Sequence, residues 1–364
     1  MLIPFGLAGV GVLGLAGWSA WVGRKAEEMV PPDGRFVDVD GARMHIVELG
    51  PKDAAGPAIV MIHGVMAQLR NFSHSLAGRL AKDHRVILVD RPGWGHSRLT
   101  GPRPDLVRQG RMIAALIETL GLEKPLVVGH SMGGVVSLAL AVERPEVPGA
   151  LALIAPLTQM VEQPPAMFRG MLVPPVLRAP IAWTIAVPMA VAFGKRGAEA
   201  VFAPDPVPAD FTIAGGGALA ARSAAYEMGS FEIRMAEQAV PPLVARYGEI
   251  RVPVSILYGR QDNVLDPALH GERTVAEIAG ARLTLVEGGH MLPLAHPDET
   301  EAWLRGCWRR WAEAFSSPLP KSPSPFRRFA APSLSHKGRG SIGAQFPLPL
   351  WEREGARRRR RWEG

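Results

Sequence analysis

Leu126-Val127-Val128-Gly129-His130-Ser131-Met132-Gly133-Gly134-Val135-Val136-Ser137-Leu138 is the stretch that decides the fold of this chain. An apolar run ends on Gly-x-Ser-x-Gly, and small and apolar residues follow that suit a helix. A nucleophile elbow needs that order of strand, sharp turn and helix to lift a serine hydroxyl above the end of a sheet. The glycines have a steric reason. The serine occupies a strained turn, and side chains at 129 or 133 would strike the neighbouring strand and helix.

A serine hydroxyl is a weak nucleophile until a base removes its proton. The base expected here is His290, in Glu287-Gly-Gly-His-Met-Leu-Pro-Leu-Ala-His-Pro297, on a glycine loop just past the apolar run Leu283–Val286. His296 precedes Pro297 at the start of a helix and reads as a capping or packing residue. The imidazole needs a carboxylate to fix its tautomer and stabilise its cation. Asp262 stands at the end of the run Val254–Tyr258, whereas Asp266, next to Pro267, suits a helix cap. Two N–H donors for an oxyanion are expected from Met132, the residue after the serine, and from Val65 in His63-Gly64-Val65. His63 reads as a brace for that loop.

Working outward, Asp40-Gly41 lies between two alternating runs and signals a hairpin. Six short apolar runs read as strands buried on both faces: Ala58–Ile62, Val86–Val89, Leu126–Val128, Ala150–Ile154, Val254–Tyr258 and Leu283–Val286. Helical patterns over Pro104–Leu120, Val135–Glu143 and Pro267–Ala279 alternate with them. The expectation is an α/β fold, a mostly parallel central sheet flanked by helices. Between Pro156 and Arg251 the alternation stops, and helical patches over Pro175–Phe193 and Ala218–Ala239 read as an inserted cap with a greasy inner face. Ile181–Phe193 is apolar enough for a membrane span, but Pro180, Pro188 and its short length argue against one.

The motifs Asp38-x-Asp-Gly-x-Arg-Met-His45, His63-Gly64, Asp90-Arg-Pro-Gly-Trp-Gly-His-Ser97, Gly129-His-Ser-Met-Gly-Gly134, Gly259-Arg-Gln-Asp262 and Gly289-His290 together resemble the α/β-hydrolase superfamily, over roughly Arg35 to Phe315. The similarity is to the branch with a cap after the sixth strand, which includes esterases, carbon–carbon bond hydrolases, epoxide hydrolases and dehalogenases. The last two use an aspartate where this chain has Ser131. The resemblance implies a core in two parts, 35–155 and 251–315, with a helical cap at 156–250. The loop Asp90–Ser97 reads as scaffold.

The ends differ in kind. Leu2–Val22 carries no charge and reaches roughly 30 Å as a helix, enough to span a bilayer. Trp18 and Trp21 sit where an aromatic belt would, and Arg24 and Lys25 follow. Residues 1–23 therefore read as an uncleaved transmembrane anchor, with a signal peptide cut near Ala20 as the alternative. The two cations after the span place the catalytic domain on the cytoplasmic side; periplasmic or secreted placement is the alternative. Residues 316–364, rich in Pro, Ser, Gly and Arg, read as a disordered basic tail. The net charge of +7 belongs largely to that tail, so no nucleic-acid partner is expected. The single cysteine, Cys307, rules out an internal disulfide and reads as a packing residue. No metal, nucleotide or flavin is implied, since Gly215-Gly-Gly217 lacks the setting of a phosphate loop.

The expected chemistry is acyl transfer on a small hydrophobic ester or lactone, with Ser131, His290 and Asp262 as the triad. Hydrolysis of a carbon–carbon bond by the same triad is the enzymatic alternative. A non-catalytic membrane-anchored binding protein on the same fold is the other.

Overall fold

The computed structural model describes residues 3–161 and 163–316; the expected tail lies outside them apart from Ser316, the last residue of the final helix. Strands β1 (Arg35–Val39) and β2 (Ala42–Leu49) pair antiparallel with Val39 opposite Ala42, so Asp40-Gly41 is the turn. Gly41 has a φ of 83°, which glycine adopts without steric cost. Six further strands follow: β3 (Ile59–Ile62), β4 (Val86–Val89), β5 (Leu126–His130), β6 (Ala150–Ile154), β7 (Val254–Gly259) and β8 (Arg282–Val286). The sheet order is β1-β2-β4-β3-β5-β6-β7-β8, with β2 antiparallel to both β1 and β4 and the remaining pairs parallel. The two-residue strand Arg98–Leu99, which pairs with β2, has no signal in the sequence.

Solid apolar runs were expected to be buried on both faces, and β3 to β6 are, whereas β8, at the edge of the sheet, is only partly buried. Val60, Ile62, Ile87, Val89 and Val127 join one core cluster; Ile59, Met61, Val86, Leu88, Leu126 and Val128 join another. That alternation follows from the two-residue period of a strand. Helices α2 (Leu106–Thr119) and α3 (Met132–Glu143) supply the first cluster and α6 (Pro297–Ser316) the second. Asp105 caps α2 by accepting from the Arg108 N–H at 2.7 Å. Cys307 is buried in the second cluster, and burial pushes its thiol pKa up; it packs, as expected.

Between β6 and β7 the chain forms a helical cap, as expected, but two of its features differ from the sequence reading. The helix α4 runs unbroken from Pro175 to Phe202, 28 residues, through both prolines. A π-turn at Ala182–Ala186 lies between Pro180 and Pro188, a local change of register by which a helix accommodates such residues without ending. By length and composition α4 could cross a membrane, so the short length expected of this apolar stretch does not hold. Its greasy face is also turned outward: Leu177, Trp183, Ile185, Met189 and Val191 are exposed. The second cap helix, α5, spans Ser223–Val244.

The N-terminal helix α1 spans Ile3–Met29, past the boundary expected at residue 23. Its last turns belong to the folded body. Ser19 Oγ donates to the Trp183 carbonyl at 2.8 Å, and Ala26 and Val30 are buried with Ala218 and Leu219 of the cap.

Candidate active site

Ser131 sits between β5 and α3 with φ 53° and ψ −121°, a strained conformation for a residue with a side chain. The turn is held because Ser131 N–H donates to Ile154 O at 3.1 Å and Ser131 O accepts from Gly134 and Leu157 N–H. A Cβ at Gly133 would lie 2.2 Å from Ile62 O, and one at Gly129 would lie 2.5 Å from Ser137 Oγ. The expected clash with strand and helix is therefore present at both positions. Gly64 also comes close: a Cβ there would stand 3.4 Å from Ser131 Oγ.

His290 and Asp262 are brought together from loops 28 residues apart. His290 Nδ1–H donates to Asp262 Oδ2 at 2.8 Å, which leaves the lone pair on Nε2. Asp262 Oδ1 accepts from the Val264 and Leu265 N–H groups at 2.8 and 2.9 Å. Burial pushes the Asp262 pKa up, but the attraction and hydrogen bond of His290, with those two N–H groups, outweigh it and hold the carboxyl below its ordinary value. His130, next to the serine, donates from Nε2 to the His290 carbonyl at 3.0 Å, which ties the histidine loop to the elbow. Asp266 accepts from Ala268 N–H at 2.9 Å and so takes the capping role.

Val65, Ser131 and Met132 line one cavity of about 60 Å³, walled by Leu157, Met160, Phe168, Ile233, Val264 and Leu265. Its walls are apolar. Met132 opens α3, so its N–H lies in the first turn, where helix donors have no partner within the helix. A larger hollow of about 330 Å³ lies away from the serine, between Asp105, Glu143 and Arg246. Among the described residues, no group of three or more His, Cys, Asp or Glu side chains could ligate a metal.

His63 braces its loop as expected. Its Nε2 accepts from Arg91 N–H at 3.0 Å and its Nδ1–H donates to Gly64 O at 2.8 Å. Burial, then the Arg91 charge, lowers its pKa to about 3, so the ring stays neutral. Burial likewise takes His130 to about 3 and His270 to about 4. These three lowered values carry a sign. The unfolded chain takes up protons at these histidines below about pH 6.5 while the folded one does not, so stability falls as the solution is acidified. His45, whose pKa is raised beside Asp90, acts oppositely and only above that range. The expected result is an unfolding free energy that drops between pH 6.5 and 4, with a slope of about 1.4 kcal/mol per pH unit for each histidine. Urea titrations at several pH values check it, and a flat profile over that range would count against it.

The sequence reading missed the groups that hold the cap to this site. Arg91 and Glu232, both fully buried, form a bidentate ion pair at 2.6 and 3.0 Å. Gln109 Nε2 and Trp94 Nε1 also donate to Glu232 Oε1, at 2.7 and 2.8 Å. Arg91 in turn donates to the His63 and Gly64 carbonyls, both at 2.9 Å. The loop Asp90–Ser97 is thus scaffold, as expected, but scaffold that links α5 of the cap to the turn bearing Val65. A lone Glu232 inside the helical pattern Met228–Ala236 was the available signal. Asp205 is the second such group: Oδ2 accepts from Gly289 N–H at 2.8 Å and Oδ1 pairs with His296 Nε2 at 2.9 Å. His296 therefore does not compete with His290. Asp205→Ala is expected to loosen the His290 loop and lower kcat by about tenfold with KM little changed, since small misplacements of a reacting group are costly; steady-state kinetics read both parameters.

A mostly parallel sheet flanked by helices, with a strained serine at the end of β5 and a histidine–carboxylate pair whose loop is bonded to the adjoining His130, defines an α/β hydrolase. The sequence matches the alpha/beta hydrolase family over residues 59–303, and the chain belongs to that family and is an enzyme. The dihydrolipoyllysine-residue acetyltransferase component of the acetoin cleaving system of Pseudomonas putida is 36% identical over 132 residues, 36% of this chain and 34% of that one. The chain therefore spans about a third of that relative's length. A 2-hydroxy-6-oxononadienedioate/2-hydroxy-6-oxononatrienedioate hydrolase of Klebsiella pneumoniae is 28% identical over 280 residues, 72% of this chain and 91% of that one. Among solved structures, a membrane phospholipase A, a bacterial virulence factor, superposes with a TM-score of 0.62 at 24% identity, over 85% of this chain and 97% of that one. That likeness is one of fold.

Proposed function

We propose that the enzyme cleaves a small hydrophobic carboxylic ester or lactone through an acyl-enzyme. His290 Nε2 takes the proton of Ser131 Oγ as the oxygen attacks the carbonyl carbon. The oxyanion is received by the N–H groups of Val65 and Met132. The imidazolium, held by Asp262, returns its proton to the leaving oxygen, which departs as the alcohol. Water, deprotonated by His290, then attacks the acyl carbon, and the acid leaves as Ser131 regains its proton. The observation that carries this reading is the 2.8 Å bond from His290 Nδ1 to Asp262, which fixes the tautomer that a base for Ser131 needs. The apolar cavity supports a hydrophobic acyl group.

The name of the Klebsiella relative favours a second reading, cleavage of a carbon–carbon bond with the same residues. Labelling with a fluorophosphonate probe, lost in Ser131→Ala and His290→Ala, tests the activated serine. A panel of aliphatic esters, lactones and vinylogous diketones separates the two substrate classes. Turnover of the diketones alone would replace the ester reading.

We also infer that the apolar stretch Leu2–Val22 anchors the chain in the bilayer, with the catalytic domain on the cytoplasmic side. The support is the absence of charge over a spanning length and the cations Arg24 and Lys25 that follow it. Residues 316–364 are read as a tail not needed for activity, which truncation after Phe315 would test.

A further inference from the structure

Fifteen large apolar side chains stand exposed among the described residues, and thirteen of them lie on two helices, six on α1 and seven on α4. The two helices touch, through Ser19 and the Trp183 carbonyl, so their apolar surfaces form one region. Soluble monomers seldom expose a contiguous apolar patch beyond roughly a few hundred Å² without a use for it. Over its first half α4 turns Arg178, Ala182 and Val187 to the protein, while Val176, Leu177, Trp183, Ile185 and Met189 face outward; residues 191–197, with Val191 and Phe193, are exposed all round, and Phe202 is buried again at the end. A helix that packs part of its length on its own folded body and exposes apolar side chains over the rest suits a place in the interface plane of a bilayer.

The chemistry at the ends of the apolar runs names the occupant. On α1 the run closes as Trp21-Val22-Gly23-Arg24-Lys25, and on α4 as Ala192-Phe193-Gly194-Lys195-Arg196. Each ends on an aromatic residue, a glycine and two cations within five positions. Trp18, Trp21 and Trp183 are all exposed in the same region. Exposed indoles with apolar side chains and flanking Lys/Arg suit the acyl–headgroup boundary of a membrane with anionic lipid. From Val176 to Phe193 the outward face runs about 27 Å, long enough to lie along the surface. α4 ends at Phe202, and the cap chain then turns through Ala203 to Asp205, which holds the His290 loop.

We propose that α4 is a second membrane contact, lying in the headgroup–acyl boundary beside α1, so that the cap rests on the lipid surface. The proposal goes beyond the hydrolase reading and does not depend on Ser131. It predicts that the substrate is met at the bilayer surface and not in bulk water.

Spin labels on the full chain test it. Leu13→Cys, Ile185→Cys, Val191→Cys and Ile213→Cys are each made in a Cys307→Ala background and reconstituted in vesicles of phosphatidylethanolamine and phosphatidylglycerol. Collision with oxygen, which concentrates in lipid, is compared with collision with a water-soluble nickel complex. The expected result is an oxygen-to-nickel ratio several-fold higher at 185 and 191 than at 213, an exposed cap position on neither helix. Ratios at 185 and 191 equal to that at 213, with 13 still in lipid, would overturn the proposal and leave the anchor standing. A water-like ratio at 13 with lipid-like ratios at 185 and 191 would remove the anchor and support the proposal. Dipolar broadening between labels at 185 on separate copies would overturn it in favour of a second copy of the chain on this face.

Discussion

Ser131→Ala is expected to lower kcat on a hydrophobic ester by about 10⁴-fold or more, the scale on which removal of a triad nucleophile acts. Melting temperature should change little, because alanine keeps the Cβ and the turn is held by main-chain bonds from Ile154, Gly134 and Leu157. Asp262→Asn should approach the same loss by a different route. The amide can no longer accept from His290 Nδ1–H as a carboxylate does, so the imidazole loses the partner that fixes its tautomer. The two variants are expected to be far from additive, since these residues act as one unit. Single-turnover kinetics of both variants and the double check this. A Ser131→Ala enzyme retaining a tenth of the wild-type rate would end the acyl-enzyme reading.

The second large effect concerns stability. Glu232→Ala would leave the Arg91 guanidinium uncompensated in a fully buried site, and losing one partner of such a pair costs about 3–5 kcal/mol. The same change releases the donors of Gln109 and Trp94, which adds to the cost because buried donors without acceptors are expensive. Replacing both partners, Arg91→Met with Glu232→Leu, is expected to recover much of that loss, since the desolvation of two charges is then avoided. The recovered double variant should still be a poorer enzyme. Arg91 holds the carbonyls of His63 and Gly64, so without it the Val65 N–H loses its fixed direction. Denaturant unfolding of the two single variants and the double, with kcat measured on each, separates the parts. Equal stability of Glu232→Ala and wild type would show that the pair does not hold the cap to the core.

Much of this molecule is legible along the chain because its signals are local. A strand buried on both faces must be apolar at every position, so β3 to β6 stand out as solid runs. The elbow is legible because strain at one serine demands glycine at fixed offsets. The order Ser131, Asp262, His290 needs only strand-end positions, and the last two lie within hydrogen-bond distance, 2.8 Å. Asp266 and His296, the two residues set aside, are bonded elsewhere, to Ala268 N–H and to Asp205.

What tertiary structure decided is of another kind. That Glu232 meets Arg91 across 141 residues, or Asp205 meets Gly289 across 84, depends on how the cap is laid over the core, and no local spacing encodes it. The full length of α4, to Phe202, is not legible for a related reason. Proline's local cost is visible in the sequence, whereas the π-turn and the packing of Arg178, Ala182 and Val187 against the protein that offset it are not. An apolar helix also reads the same whether its greasy side faces a core, a pocket or a membrane. Only its neighbours in space show that α4 turns that side outward.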